Sequence, residues 1–229
     1  YAAKMVPFIL KAFENTNIKD KNLNLALELL DKWKYKMDKQ SQVPAIYSTF
    51  FIKFLENTFK DELGEELFKE YVFLANVPYR VIQDHLNKDF SQWFDDVATE
   101  KQESKMDIIR KSLVDALDEL EKKFGSDLKL WQWGKLHKVK LKHVFSGYSD
   151  YFDYLIDVGP FEVGGDVTTI FNTSYKLSNP FETSIGPSMR YIYDFNEPDY
   201  FSYILPTGQS GHFSSDYYSN MTTDWLEGR

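Results

Sequence analysis

Residues 186–194 read Gly-Pro-Ser-Met-Arg-Tyr-Ile-Tyr-Asp, and residues 205–212 read Leu-Pro-Thr-Gly-Gln-Ser-Gly-His. These two stretches contain the clearest structural signals in the C-terminal half of the chain. Aromatic and β-branched residues concentrate at 188–195 and again at 200–205, which predicts two β-strands. The Asn-Glu-Pro-Asp sequence between them predicts the connecting turn. After the second strand, a polar loop leads into a short aromatic helix that contains Trp225.

The chain up to about residue 125 has a different, helical period. Its clearest segment is 100–124, where apolar side chains recur every three or four positions. These side chains are Met106, Ile109, Leu113, Leu117, Leu120 and Phe124. Thr99 with Gln102 predicts a capping box at the start of this helix, and Gly125 predicts its end.

Shorter helices are predicted before that segment from the same kind of pattern. Proline in a first helical turn, where its missing N–H removes no hydrogen bond, indicates the start of two of them. The predicted segments are residues 1–10, a face formed by Leu23, Ala26, Leu27, Leu30 and Lys34, a helix from Pro44, a helix over 64–75 and a helix from Pro78 to Leu86.

After about residue 130 the period changes to two, which is typical of strands. Lysines alternate with apolar residues over residues 138–143. This pattern predicts a strand that is exposed to solvent on one face or lies at a sheet edge. Residues 167–175 predict a further strand. We therefore predict an α+β chain with a mainly helical domain at 1–128 and a β-rich part at 129–229.

Composition limits the class of protein. With 229 residues, of which 43% are hydrophobic, the chain is long enough to bury a sizeable core in one or two domains. No apolar run approaches eighteen residues, which argues against a membrane span. The net charge of −8 argues against binding to a nucleic-acid backbone. The absence of cysteine excludes disulfides and thiolate metal sites within this chain, but it leaves the compartment open.

Four motifs in a fixed order give a more specific indication. The order and spacing resemble the penicillin acylase (penicillin amidase) family, and the resemblance extends over almost the whole chain. The residues that carry it are Trp93, Asp95, Asp96, Thr99 and Glu103, then Trp133, Gly134 and His137, then Gly165 and Asp166, and finally Arg190, Asp194, Gly208, Gln209, Ser210, Gly211 and Trp225. The chain departs from the family pattern at Tyr217, where histidine is common, and at Ser219-Asn220, where aspartate is common.

The resemblance implies a fold and a chemistry. Members are N-terminal-nucleophile hydrolases of amide bonds, with an αββα sandwich of two antiparallel sheets between helical layers. The helical block would be an insertion beside that core. The nucleophile is the first residue of the catalytic chain, and its α-amine, with a pKa of about 8, serves as the general base. Tyr1 has no aliphatic hydroxyl or thiol, so we expect no catalytic residue within this chain.

The resemblance therefore implies a C-terminal fragment of the catalytic (beta) chain. Its expected partners are the alpha chain and the N-terminal part of the beta chain, together with a small N-acyl substrate. We also expect the isolated fragment to be inactive and to associate, either with those missing segments or with another copy of itself. No cofactor is expected in this chain, although calcium is possible in the full protein, and family members are commonly periplasmic or secreted. The alternative is a non-catalytic scaffold or partner-binding fragment of the same fold.

Several residues invite a catalytic interpretation that competes with a structural one. Asp95, Asp96, Glu103 and Asp107 could form a metal or acid–base cluster, with Glu103 and Asp107 on one helical face. Because aspartates often start local structure and acids stabilise helix N-termini, we favour capping roles. No acidic group has the spacing of a known metal loop.

The histidines and Ser210 also have a catalytic interpretation, and we favour structural or solvent-exposed roles for them. His85 is expected on a helix surface, His137 and His143 on one face of a strand, and His137 and His212 as buried hydrogen-bonding groups. The Gly208-Gln209-Ser210-Gly211 spacing differs from a nucleophile elbow. Likewise, Gly164-Gly165 lacks the spacing of a phosphate loop and predicts a tight turn into a strand.

Arg190 and Asp194 are four residues apart on a predicted strand and therefore share a face. One possibility is a buried ion pair between them. The other is that Arg190 holds the carbonyl groups of the Gln209-Ser210 loop.

Overall fold

A computed structural model describes residues 1–74, 76–88 and 90–228 of the chain. It confirms the α+β class, with helices first and short strands after residue 137. The α-helices are α1 (Ala2–Ala12), α2 (Lys21–Asp31), α3 (Val43–Phe73), α4 (Val77–Leu86), α5 (Lys105–Phe124), α6 (Trp133–Leu136), α7 (Asp150–Ile156) and α8 (Thr222–Glu227). The strands are β1 (Lys138–Leu141), β2 (Val158–Glu162), β3 (Ser174–Lys176), β4 (Asn179–Ile185), β5 (Arg190–Tyr193) and β6 (Phe201–Ile204).

The predicted helices are confirmed, with corrections at their ends. Pro44 and Pro78 lie in the first turns of α3 and α4. The helix predicted from residue 64 is the second half of α3, because Gly64 has a left-handed φ of 71° that kinks the helix there. Lys34 lies beyond the end of α2, since that helix ends at Asp31.

The capping box predicted at Thr99 and Gln102 is wrong. Helix α5 starts at Lys105, and its cap is Ser104, whose hydroxyl accepts the N–H of Asp107 while the Asp107 carboxylate accepts the N–H of Ser104. Thr99 lies in the loop six residues before the helix starts, where its hydroxyl donates to the Glu103 carboxylate at 2.9 Å. Gly125 ends the helix as predicted, with a φ of 84°.

The strands form one mixed sheet and one hairpin. The sheet has the order β2-β1-β4-β3, in which β1 pairs antiparallel with β2 and parallel with β4. The expectation of wholly antiparallel strands is therefore wrong at β1 and β4, and β1 is an interior strand rather than an edge. Strands β5 and β6 form the predicted antiparallel hairpin, with Arg190 opposite Ile204.

The strand predicted at 167–175 is mostly a turn. Only its last two residues, Ser174 and Tyr175, belong to β3. The earlier part is held by Asp166, whose carboxylate accepts the N–H of Thr168 at 2.7 Å. Such a side chain to backbone bond competes with strand pairing. Strands β2 and β4 and helix α7 were not predicted.

Most buried apolar side chains belong to a single cluster that crosses the predicted domain boundary. Helices α3 and α5 form its centre, with Phe50, Phe54 and Leu113 fully buried. The same cluster includes Trp133 from α6 and Phe181 from β4. The predicted domain boundary between residues 128 and 129 stays a prediction. Arg229, the last residue of the predicted β-rich part, lies outside the described residues.

Within the described part of the chain, no helix is both long enough and apolar enough to cross a membrane.

Candidate functional site

The motif that contains Trp133 and His137 forms a buried aromatic site between α6, β1 and β4. The two rings stack with their centres 4.6 Å apart, and both side chains are fully buried. The Trp133 indole N–H donates to the Gly165 carbonyl oxygen at 3.1 Å. On the histidine, Nδ1 lies 2.7 Å from the Phe181 carbonyl oxygen, which can only accept, so Nδ1 carries the proton.

The other ring nitrogen of His137 determines its charge. Nε2 lies 3.4 Å from the Thr183 hydroxyl and 3.2 Å from that of Thr173. Burial lowers the pKa of His137 to about 4, so the imidazole is neutral near pH 7 and Nε2 accepts a hydrogen bond. The Thr173 hydroxyl donates to the Gly164 carbonyl oxygen, so the donor to Nε2 is the Thr183 hydroxyl.

The glycine pair beside this site forms a tight turn. Gly165 has a φ of 82°, and a side chain there would run into the Phe171 carbonyl oxygen. The Gly165 N–H donates to the Met37 carbonyl oxygen at 2.8 Å, so the turn is tied to the segment that precedes α3. Asp166 is buried, and burial raises the pKa of its carboxyl group. The turn thus positions the carbonyl group that Trp133 uses.

The acidic motif folds a loop before α5. The Asp95 carboxylate accepts the N–H of Glu103 at 2.9 Å, and the Glu103 carboxylate accepts the N–H of Asp96 at 3.1 Å. Glu103 precedes the helix, so the expectation that it shares a helical face with Asp107 is wrong. The Ser104 hydroxyl lowers the pKa of Asp107 to about 2. Among residues 1–74, 76–88 and 90–228, no group of three or more histidine, aspartate or glutamate side chains could hold a metal ion.

Arg190 is held by aromatic rings and not by an acid. Its guanidinium lies 4.4 Å from the centre of the Phe171 ring and 5.4 Å from that of Trp225, and it donates to the Trp225 carbonyl oxygen. Both expected partners are therefore wrong. Asp194 accepts instead from Asn196 in the hairpin turn, at 2.9 Å. None of the ion pairs found among the described residues includes Arg190.

The Gly208-Gln209-Ser210-Gly211 segment packs against the loop that leads into α8. The Ser210 N–H donates to the Tyr217 carbonyl oxygen at 3.1 Å, and the Gln209 amide contacts the Tyr203 hydroxyl. A side chain at Gly208 would meet the same Tyr217 carbonyl oxygen, so the close approach requires glycine there. On the same face, the Trp225 indole donates to the Pro187 carbonyl oxygen at 2.8 Å.

Three histidine placements can be compared with expectation. His85 lies on α4 as expected and is hydrogen-bonded to Ser91 at 2.8 Å. His143 lies beyond the end of β1, so it does not share a strand face with His137. Its Nε2 reaches the Gly211 carbonyl oxygen at 3.2 Å. His212 is exposed, and the expectation that it is buried is wrong.

The sequence analysis did not identify one buried polar site, which is centred on the Asp157 carboxylate. The Asp157 side chain is only 1% exposed, and it receives Lys140 Nζ at 2.8 Å, the His143 N–H at 2.9 Å and the Ser146 hydroxyl at 3.0 Å. It fixes the loop after β1 to the end of α7. The alternation of lysines in β1 was visible in the sequence, but nothing in the pattern indicated which carboxylate would accept one of them.

We expect Arg190→Ala to lower the free energy of unfolding by about 2 kcal/mol, because it removes two cation–π contacts and a charged hydrogen bond. Arg190→Lys is the matched variant. It keeps the charge but loses the planar contact with Phe171 and Trp225, so it should recover less than half of the loss. Urea unfolding followed by tryptophan fluorescence measures both. An Ala variant as stable as the parent chain would contradict this role.

Comparison with known proteins agrees with the motifs. The family model described as penicillin amidase matches residues 1–229. The acyl-homoserine lactone acylase QuiP of Pseudomonas aeruginosa is 34% identical over 209 residues, which cover 85% of this chain and 25% of the relative. Its counterpart in Pseudomonas fluorescens is 33% identical over 198 residues, which cover 85% of this chain and 23% of the relative.

A more distant relative carries a different substrate in its name. The penicillin acylase 2 proenzyme of a Pseudomonas species (strain SE83) is 25% identical over 95 residues, which cover 42% of this chain and 12% of the relative. The chain spans about a quarter of the length of the acyl-homoserine lactone acylases that it matches.

Proposed function

This chain belongs to the penicillin amidase family, and we propose that it is the C-terminal part of an amidase that hydrolyses N-acyl amines. The observation that carries the proposal is the family match over residues 1–229, together with the 34% identity to an acyl-homoserine lactone acylase. The amide bond between an acyl chain and an amine is the bond that such a hydrolase cleaves. The products are a carboxylic acid and the free amine.

N-acyl homoserine lactones are the leading substrate class in this proposal. The relatives named for that substrate align with 85% of the chain at 33–34% identity, whereas the penicillin acylase aligns with 42% at 25%. A β-lactam side-chain amide presents the same type of bond, so it is the natural comparison substrate. Assays on both classes will separate them.

The proposed mechanism places the nucleophile outside residues 1–229. An N-terminal serine attacks the amide carbonyl carbon, its α-amine accepts the hydroxyl proton and later protonates the leaving amine, and water then hydrolyses the acyl-enzyme ester. An oxyanion hole stabilises both tetrahedral intermediates. In this chain His137 is buried and neutral, and Ser210 lies in a hydrogen-bonded turn, so we assign them structural roles.

The β5–β6 hairpin exposes apolar side chains, and this exposure favours the proposal that further segments pack against it. Tyr191 is 66% exposed, Ile192 69% and Phe201 62%, so both faces of the β5–β6 hairpin carry apolar side chains in contact with water. An isolated two-stranded hairpin is marginally stable. We propose that segments of the same protein outside residues 1–229 pair with this hairpin and cover it. Calcium, if the whole protein binds it, would be held largely by those segments.

We predict that the chain of residues 1–229 alone does not hydrolyse a chromogenic phenylacetyl anilide or an N-acyl homoserine lactone. The longer polypeptide that includes the proposed upstream segments should hydrolyse at least one of them. Release of the coloured amine and of free homoserine lactone measures the two reactions. The matched controls are Ser210→Ala and His212→Ala in the longer protein, which should keep activity.

Two outcomes would contradict this function. Turnover by residues 1–229 that disappears in Ser210→Ala or His212→Ala would place the nucleophile within this chain. A correctly assembled longer protein without any amidase activity would favour the alternative, a non-catalytic scaffold with the same fold.

A further inference from the structure

The acidic-motif loop, residues 92–104, contacts α3 at two points. At its start, the Trp93 ring lies 5.4 Å from the Phe59 ring, centre to centre. Further along the loop, the Asp61 Oδ2 atom accepts the N–H of Val97 at 2.9 Å. The Val97 residue is 61% exposed, so burial of apolar surface contributes little at this second point. The second attachment therefore depends on the Asp61 carboxylate.

The other oxygen of that carboxylate has an unusual neighbour. Asp61 Oδ1 is buried, and it has no hydrogen-bond donor among the described residues. The carboxyl group of Glu62, an exposed residue, lies in hydrogen-bonding contact with Asp61. Two ionised carboxylates can only accept hydrogen bonds, so this contact becomes a hydrogen bond when one of the two groups carries a proton.

The charges around the Asp61–Glu62 pair are negative. Asp95 in the loop is the next charged group that faces Glu62, and it is also an acid. None of the ion pairs found among residues 1–74, 76–88 and 90–228 includes Asp61, Glu62 or Asp95. Although the residue as a whole is exposed, desolvation of its carboxyl group and the neighbouring Asp61 raise the pKa of Glu62 to about 7.

We propose that a proton shared between Asp61 and Glu62 holds the second attachment of the acidic-motif loop, and that loss of this proton loosens the loop from α3. With the proton in place, Glu62 donates to Asp61 Oδ1, and Oδ2 accepts from Val97. Without the proton, two adjacent negative charges face a third at Asp95, and their repulsion disfavours the position that Asp61 holds against the loop. This pH-sensitive attachment is independent of amide hydrolysis.

The pH range follows from the two states of the Glu62 carboxyl group. Its pKa is about 7 in the attached loop, whereas an ordinary glutamate has a pKa of about 4.5. Between these values the attached state binds more protons than the detached state. The stabilisation is therefore fully present below about pH 4.5 and is lost as the pH rises through about 7. His137, whose pKa is lowered, acts in the opposite direction, so the test needs a measurement local to the loop.

Hydrogen exchange at the Val97 amide provides that local measurement. The protection factor, which corrects for the intrinsic pH dependence of exchange, is compared at about pH 5 and about pH 8. We expect it to fall about tenfold in the parent chain, a modest change because the Glu62 side chain is exposed. Glu62→Gln keeps a donor for Asp61 Oδ1 at every pH, so its protection factor should change by less than about twofold.

Two further variants control this comparison. Glu66→Gln removes an exposed acid from the same helix, so its protection factor should fall with pH as in the parent chain. Glu62→Ala removes the carboxyl pair without offering a donor, so protection should be low at both pH values. Circular dichroism shows whether each variant is folded, and the Ala variant tests the pair even if the Gln variant is unstable.

Three results would overturn the proposal. The first is a protection factor of the parent chain that is the same at both pH values. The second is an equal fall in the parent chain and in Glu62→Gln. The third is restoration of protection at the higher pH by millimolar calcium in the parent chain but not in Glu62→Gln, which would make the pair a cation site instead of a proton-sharing one.

Discussion

Trp133→Ala is expected to lower the free energy of unfolding by about 3–5 kcal/mol, the largest effect that we predict for a single substitution. Trp133 is fully buried, stacks on His137 and lies 5.9 Å, ring centre to ring centre, from Phe181. Alanine would leave a cavity at the point where α6, β1 and β4 meet, and it would leave the Gly165 carbonyl oxygen without its donor. Urea unfolding measured by circular dichroism gives the change.

Trp133→Phe separates packing from hydrogen bonding at this site. Phenylalanine keeps an aromatic ring over His137 but has no N–H for Gly165, so we expect a loss of about 1–2 kcal/mol. If the Ala and Phe variants were equally destabilised, the hydrogen bond and not the packing would account for the effect. If neither were destabilised, the motif around Trp133 would have no structural role in this chain.

The helical half could be predicted closely because a helix is indicated by residues that lie close together in the sequence. The period of α5 is carried by residues such as Ile109 and Leu113, which are fully buried as the pattern requires. Helix starts are harder, because the capping residue depends on a competition between neighbouring side chains. Thr99 and Ser104 both suit a cap, and in the structure the reciprocal bonds between Ser104 and Asp107 form the cap.

The β half was predicted less well because strand pairing depends on distant residues. Strands β2 and β4 contain Pro160 and Pro180, and a proline within a run argues against a strand when the sequence is considered alone. The parallel contact of β1 with β4 brings together residues more than forty positions apart. No local period encodes such a pair, so the mixed sheet could not be predicted from spacing.

The contacts of the candidate-site residues also depend on distant parts of the chain, so they could not be predicted from the sequence. The motif residues Trp133, His137 and Arg190 were identified from their order in the sequence, but their partners were not. Asp194 was one of two partners considered for Arg190, because the two residues were predicted to share a strand face. Strand β5 ends at Tyr193, so Asp194 lies in the turn instead, and the ring of Phe171 takes the position beside the guanidinium.

His137 should make the stability of the chain depend on pH between about 4 and about 6.5. In the fold the imidazole is neutral, and its pKa is lowered to about 4, whereas a histidine in an unfolded chain has a pKa of about 6.5. Between these values the unfolded state binds more protons, so stability rises with pH. The contribution is fully present above about pH 6.5 and is lost as pH falls through about 4, which amounts to about 3 kcal/mol.

His137→Gln isolates this contribution from that of the acidic groups. The test compares the free energy of unfolding at roughly pH 7.5 and pH 4.5 for the parent chain and for the variant. We expect the parent to lose about 2–3 kcal/mol more than the variant over this interval, because only the parent carries the depressed pKa. His212→Gln, which replaces an exposed histidine, is the matched control and should follow the parent. Parallel curves for the parent and His137→Gln would show that His137 takes up its proton in the folded state as readily as in the unfolded state. They would contradict the buried, neutral imidazole that the lowered pKa of His137 describes.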